Sequence, residues 1–306
     1  MEVLHYVYGQ TKPNTKRLAV ALGFFDGVHL GHRRLLETAV REAKARGLTP
    51  AVFTFSDDVR RVKPGVGRLT DFEQRLARIE ALGIEAVYAA DFSSVSGLSP
   101  EAFVREILVG QCGTELAVCG FNFRFGSGAS GDAESLLALM REAGGDCTVI
   151  PPAYLGDRVI SSSAIRAAVE AGDMPLAEAM LGRPFSLTAP VLHGRGFGHT
   201  EGVPTVNQLF CTNGIVPKGG VYAARVRLSD GRAVRGVANV GVCPTFGEGG
   251  DLRCETHLID FSEDLDGATV TVEFCRYLRP ERRFPSVDAL YEQIRQDVEI
   301  ARALPL

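Results

Sequence analysis

The residues whose types and spacing could do chemistry begin with the run GFFDGVHLGH, Gly23 to His32. Two histidines, His29 and His32, follow an Asp-Gly turn. The apolar segment KRLAVALGFF leads in and reads as a strand, and GHRRLLETAVREAKARG leads out as an amphipathic helix that starts near Leu30 and stops at Gly47. The histidines therefore fall at the carboxyl end of a strand and in the first turn of a helix. Free N–H groups and the positive end of the helix dipole suit a phosphate there. Two imidazoles can donate hydrogen bonds to phosphate oxygens as charge builds in a transition state. Gly27 and Gly31 keep the backbone open to close approach. His-x-x-His alone also fits a helix cap or a metal pair; the strand–turn–helix setting favours phosphate.

Three more runs carry candidate chemistry. GFNFRFGSGASG places glycines 120, 126, 128 and 131 between a strand and a helix, with Arg124 adding charge. It fits an anion or an adenine ring, or a plain glycine-rich connection. It lacks the spacing and acidic partner of a dinucleotide fingerprint. SSSAIR supplies serines ahead of a helix, with open N–H groups and Arg166 expected in its first turn. GRGFGHTEGVPTVNQ starts with a glycine loop (Gly194, Gly198) that can wrap phosphates. It ends with Thr205 and Asn207 two apart on an extended segment, so both side chains share a face. A hydroxyl and an amide oxygen are hard ligands suited to Mg²⁺ on phosphates. Polar surface residues beside a turn are the competing reading.

The elements that must position these residues fall into two sets. Up to about residue 183, short apolar strands (LTPAVFTF, IEAVYAADF, ELAVCGF, DCTVIPP) alternate with helices: TDFEQRLARIEALG capped at Thr70, SPEAFVREILVGQ with Ser99 as cap and Pro100 first, and GDAESLLALMREAGG. That alternation predicts a Rossmann-like parallel sheet with helices on both faces, binding ligands beyond the carboxyl ends of its strands. From about Phe185 short alternating runs replace helical ones: GVYAARVRL, RAVRGVANV, ETHLIDF and ATVTVEFCRYL. They predict a small antiparallel β-barrel, closed by the helix SVDALYEQIRQDVEIARAL. The expected fold class is α/β plus all-β, with domains 1–183 and 184–306.

Bulk composition sets outer bounds. A chain of 306 residues, 45% hydrophobic and 23% charged, suits two soluble globular domains. A net charge of −4 argues against a general nucleic-acid binder. Seven scattered cysteines without C-x-x-C spacing predict reduced thiols and a cytoplasmic location. No apolar run nears the roughly 18 residues of a membrane span, and the start is no signal peptide.

On these motifs the chain resembles the prokaryotic bifunctional riboflavin kinase/FAD synthetases over nearly its whole length. GFFDGVHLGH resembles their nucleotidyltransferase signature, and VCGFNFRFGSGASGD and ISSSAIRAAVEAGDMPLAEAMLGRPF resemble their later motifs. The resemblance implies a nucleotide site made of Gly23, Phe25, Asp26, Gly27, His29, Gly31 and His32. It also implies Asn122 and Arg124 in that site, and a phosphate loop of Ser162, Ser163 and Arg166. GVPTVN, NVGVCPTFG and CETHLIDF resemble kinase segments. They imply Thr205 and Asn207 on ATP·Mg²⁺ and Glu255 as catalytic base. YLRPERRF implies Arg279 as a flavin contact. The expected reactions are riboflavin to FMN, then FMN to FAD with release of pyrophosphate; ATP is co-substrate and no nucleic acid or membrane takes part.

Departures leave alternatives open. Ser56-Asp57-Asp58-Val59 stands where D-P-H-P is usual, and Ser163-Ala164 where Thr-Arg is usual. Both lie in the adenylylating half. In the kinase half, Asp264–Gly267 reads DLDG for D-L-Y-G, and Glu201 replaces a common apolar residue. A monofunctional riboflavin kinase and a non-catalytic flavin-binding protein stay as alternatives.

Overall fold

Six apolar segments of the first half pair as one sheet. They are β1 (Glu2–Tyr6), β2 (Leu18–Leu22), β3 (Thr49–Phe55), β4 (Ala86–Ala90), β5 (Thr114–Gly120) and β6 (Asp146–Ile150). The computed structural model describes residues 1–56, 66–192, 205–242 and 252–303. The strand order is β1-β4-β3-β2-β5-β6, and all neighbours run parallel. β2 and β4 are buried along their whole length, as strands covered on both faces must be. Alternate residues of β2 feed two separate cores. Leu18, Val20 and Leu22 pack with Phe53, Ile107 and Leu136. Ala19 and Ala21 pack with Leu36, Val52 and Ile79. Helices α1 (Leu30–Arg46) and α2 (Phe72–Glu80) cover the second core. Residues 100–111 and the helix Ala133–Glu142 cover the first.

Three local features differ from expectation. The sheet has a sixth strand, β1, on its edge beside β4. It is mostly exposed and enters the core only through Tyr6, so it lacks the apolar run that marks the others. Helix α2 is capped by Asp71, whose side chain accepts from Gln74 N–H, and not by Thr70. Asp71 is the better placed carboxylate at the dipole's positive end, and Thr70 is used elsewhere. Ser99 and Pro100 start the next helix as expected, but from Phe103 to Gln111 it widens to π geometry.

The chain divides by packing into two compact units, Met1–Ser162 and Ser163–Leu306. Composition changes at residues 183/184; packing groups the two intervening helices with the antiparallel strands of the second half. The short antiparallel pair β7 (Tyr154–Leu155) and β8 (Arg158–Val159) precedes these helices, which span Ser162–Ala171 and Met174–Leu181 and end at Gly182. The second of them packs on β9 (Phe185–Pro190) and β14 (Thr269–Arg279).

The second unit holds, besides β9 and β14, the strands β10 (Thr205–Leu209), β11 (Gly220–Arg227), β12 (Ala233–Val242) and β13 (Leu252–Leu258). Their order is β10-β13-β12-β11-β14-β9, antiparallel throughout. The two sheet edges meet where Leu192 bridges Asn207. Gln208, fully buried, ties that seam by donating to Ala189 O at 2.7 Å and Val270 O at 3.0 Å. Phe185, Phe210 and Tyr222 pack on Phe274 inside. On the outer face Val221, Ala223 and Val237 lie under Ala301 and Val298 of the closing helix, Val287–Ala303.

Candidate functional site

The first site lies where the strand order reverses. β3 and β4 lie to one side of β2, and β5 and β6 to the other. The crevice beyond the carboxyl ends of β2 and β5 is where such sheets bind ligands. The Gly23–His32 run leaves β2 there, and Asn122 follows β5.

The run is held in an unusual backbone. Phe25 and Val28 take positive φ, 57° and 40°, beside Gly27 at 82°. Non-glycine residues in such conformations persist only where the surroundings impose them. Asp26 is 2% exposed, and its carboxylate accepts from Leu69 N–H at 3.0 Å and Thr70 N–H at 3.2 Å. Thr70 Oγ1 in turn accepts from Gly27 N–H at 3.1 Å. Ser162 Oγ donates to the Asp26 carbonyl at 2.9 Å. Asp26 and Ser162 thus shape the loop from within.

His29 is the N-cap of α1, and its Nδ1 accepts from His32 N–H at 3.2 Å. In the neutral ring this leaves the proton on Nε2. The two imidazoles stack 3.6 Å apart at 17°, and Phe25 meets His32 edge-on. Burial pushes His32 well below the usual imidazole pKa, with the charges of His29 and Arg75 acting in the same direction. Its Nδ1 is buried without a partner. At Gly31 a Cβ would press to 3.1 Å from the His29 ring, so a side chain there would push on the stacked imidazole.

Arg75 was invisible as a site residue in the sequence. It is 1% exposed. It donates to Phe24 O at 3.0 Å and Phe55 O at 2.7 Å, carbonyls at the ends of β2 and β3. Its guanidinium lies over the rings of Phe24 and Phe72. A fixed positive charge thus sits beneath the crevice.

Asn122 and Arg124 are exposed after β5, with Arg124 3.7 Å from Asp132. Ser162 and Ser163 occupy the first turn of their helix. Arg166 therefore begins the second turn, not the first, because the helix starts one residue earlier than the cap reading required. Ser163 and Arg166 belong to the second unit. Asp57, Asp58 and Val59, where D-P-H-P is usual, lie outside the described residues.

The second site lies on the barrel's outer face. Asn207 of β10 and Asn239 of β12 both stand directly opposite Glu255 of β13. Thr205 follows two residues along and pairs with His257. Residues paired in this way share a face, with Cβ atoms about 4.5–5.5 Å apart. Among the described residues the Glu255 carboxylate has no hydrogen bond or ion pair, and it is exposed. Gly194 and Gly198 lie outside the described residues. Arg279 is tied to Asp297 of the closing helix, at 2.7 Å and 3.0 Å, with Asp297 1% exposed. Hydroxyl and amide oxygens beside a free carboxylate form a hard donor set that fits Mg²⁺ carried on phosphates.

A family model described as FAD synthetase matches residues 11–164, and one described as riboflavin kinase matches residues 181–304. A bifunctional riboflavin kinase/FMN adenylyltransferase of Bacillus subtilis is 35% identical over 98% of this chain and 97% of its own. The chain belongs to the bifunctional riboflavin kinase/FMN adenylyltransferase family. The relative of that name from Haemophilus influenzae is 36% identical over 93% of each chain. The one from Escherichia coli is 32% identical over 99% of this chain and 97% of its own.

A solved structure described as a macrolide-efflux protein from Streptococcus pneumoniae covers 100% of both chains, with a TM-score of 0.89 at 28% identity. The likeness extends over both units of the family fold. Among the described residues no helix is long and apolar enough to cross a membrane.

Proposed function

We infer that the chain is a bifunctional enzyme that phosphorylates riboflavin to FMN and adenylylates FMN to FAD, using ATP in both steps. We assign phosphorylation to residues 184–306 and adenylylation to residues 1–183. The observation that carries the kinase assignment is the row Asn207–Glu255, with Thr205 on the same face. Glu255 accepts the proton of the ribityl 5′-hydroxyl as that oxygen attacks the γ-phosphorus, and ADP leaves. Thr205 and Asn207 hold Mg²⁺ and the ATP phosphates; bound there, Mg²⁺ offsets phosphate charge. Arg279, locked to Asp297, braces the flavin side through the closing helix.

In the first unit an FMN phosphate oxygen attacks the α-phosphorus of ATP and pyrophosphate leaves. The His29 Nε2–H and the open amides of α1 stabilise charge on the phosphates. Gly23, Phe25, Gly27 and Gly31 shape that cradle, and Asn122 and Arg124 line it from β5. The free cysteines among the described residues support a cytoplasmic site of action.

The test is a product assay with riboflavin, ATP and Mg²⁺, separating the flavins by chromatography. Glu255→Gln is expected to cut FMN formation by about 10²–10⁴-fold while FAD still forms from supplied FMN. Full FMN output from this variant would remove Glu255 as the base.

A further inference from the structure

On the barrel's outer face, directly paired residues run in one row across five strands: Asn207, Glu255, Asn239, Val221 and Arg279. Glu255 stands between two asparagines, and only Asn207 has been given work. The amide of Asn239 has a defined orientation. Its Nδ2 lies 2.7 Å from Glu281 Oε1. A carboxylate only accepts, so the nitrogen must face Glu281 and Oδ1 must face away. Among the described residues that Oδ1 is buried with no hydrogen-bond partner, an arrangement folded proteins rarely leave unanswered. A second feature serves the same contact. At Gly241, two residues along β12, a Cβ would collide with the Glu281 carboxylate. Glycine there lets Glu281 lie across the strand and reach Asn239. Val221 and Val237, its neighbours on this face, pack under the closing helix. The row has a rigid back.

We propose that Asn239 is a positioning residue that accepts a hydrogen bond from the hydroxyl next to the one being phosphorylated, so that the kinase site reads a terminal vicinal diol. The inference rests on Glu255 being the base. A group paired directly with Glu255 stands beside the alcohol that Glu255 deprotonates. The oxygen one carbon away is the donor within its reach. In riboflavin this is the ribityl 4′-hydroxyl. Held by Asn239, it fixes the rotation of the terminal carbon and aims the 5′-oxygen at the γ-phosphorus. Glu281 acts through Asn239, by forbidding the flipped amide that would present N–H groups to a donor.

Steady-state kinetics on the full chain test this. Asn239→Ala is expected to raise KM for riboflavin about 5- to 10-fold, the scale of one neutral hydrogen bond, with KM for ATP at the parent value. Glu281→Gln, whose amide can pair with either orientation of Asn239, is expected to shift KM for riboflavin the same way with an unaltered melting temperature. Riboflavin lacking its 4′-hydroxyl should suffer a comparable penalty with the parent enzyme and no added penalty with Asn239→Ala. An unmoved riboflavin KM in both variants overturns the proposal. So does a 4′-deoxy penalty that persists undiminished in Asn239→Ala. Loss of FMN output in Glu255→Gln beside unmoved Asn239 and Glu281 variants sinks this inference alone; full output from Glu255→Gln sinks the reading of the site with it.

Discussion

At the residue scale, the proposed chemistry of the first site turns on the stacked histidines. Two imidazoles 3.6 Å apart repel when both are charged. Burial adds to that cost, and the neighbouring Arg75 adds more. His32 is thereby kept neutral, and its ring supports the oriented His29 rather than adding a second cation. Replacing His32 by Ala removes the ring that orients His29 and is expected to cut FAD formation from FMN by about 10²-fold or more, the scale of losing the His29 donor it holds. FMN formation from riboflavin should be spared; equal loss of both would refute the division of labour. The same ring makes the fold acid-sensitive. The unfolded imidazole titrates near pH 6.5, and the native one only well below that. Above about pH 6.5 neither state binds the proton. Below it the unfolded chain binds a proton that the native one refuses, so stability falls as pH drops towards the native value. His32→Gln does not titrate. Urea midpoints for the parent and His32→Gln, compared at pH values above and below that of the free imidazole, should therefore converge on the acid side. Parallel curves would mean that the native ring protonates freely.

At the element scale, the turn ahead of α2 braces the loop from Gly23 to His32. The backbone of Leu69 and Thr70 is clamped by Asp26, and Thr70 clamps Gly27 in return. Asp26→Asn can keep an oxygen at the Oδ1 place, which takes both N–H groups, but it removes the charge and turns an N–H group toward Leu69 N–H where Oδ2 stood. A hydrogen bond to a charged group contributes about 1.5–3 kcal/mol, so the first unit should lose about 2 kcal/mol. With the clamp gone, Phe25 and Val28 can leave their positive φ, and adenylylation should fall with stability. A variant that melts normally and still makes FAD at the parent rate would show that the loop holds itself. This clamp also marks where the sequence stopped being readable. The helix α1 was legible from its apolar period and Gly47, and the histidines from their place before it. Thr70 reads locally as a helix cap, because nothing nearby in sequence reveals a partner 43 residues away. Arg75 occupies an ordinary polar position in the helical repeat and reads as solvated; packing over Phe24 and Phe72 and bonds to the Phe24 and Phe55 carbonyls draw it inside. Asn239 and Glu281 are likewise 42 residues apart. The π widening at Phe103–Gln111 leaves no mark in residue spacing. Strand β1, short and at an edge, has no buried run to betray it. The residues proposed to face ligand stand in motifs that are legible locally, whereas those that hold them depend on contacts the chain makes only once folded.

At the scale of the whole molecule, the two reactions are consecutive, and FMN is the product of one and the substrate of the other. Each unit has its own core and its own proposed base or donors, so each step should survive the loss of the other. A His32→Ala chain should turn riboflavin into FMN and stop. A Glu255→Gln chain should accept FMN, but not riboflavin, on the way to FAD. Mixed in one tube with riboflavin, ATP and Mg²⁺, the two variants should together make FAD, because FMN released by one chain can bind the other. The time course carries the information. If FMN passes only through solvent, the mixture should show a lag while free FMN accumulates. That lag should shorten as protein concentration rises, and added FMN should abolish it. The parent enzyme should show the same lag at matched active-site concentrations. A parent enzyme without a lag, beside a mixture with one, would mean that FMN moves between the two sites of one chain without leaving it. Failure of the mixture to make any FAD, with His32→Ala forming FMN only once per chain and keeping it bound, would make that transfer obligatory.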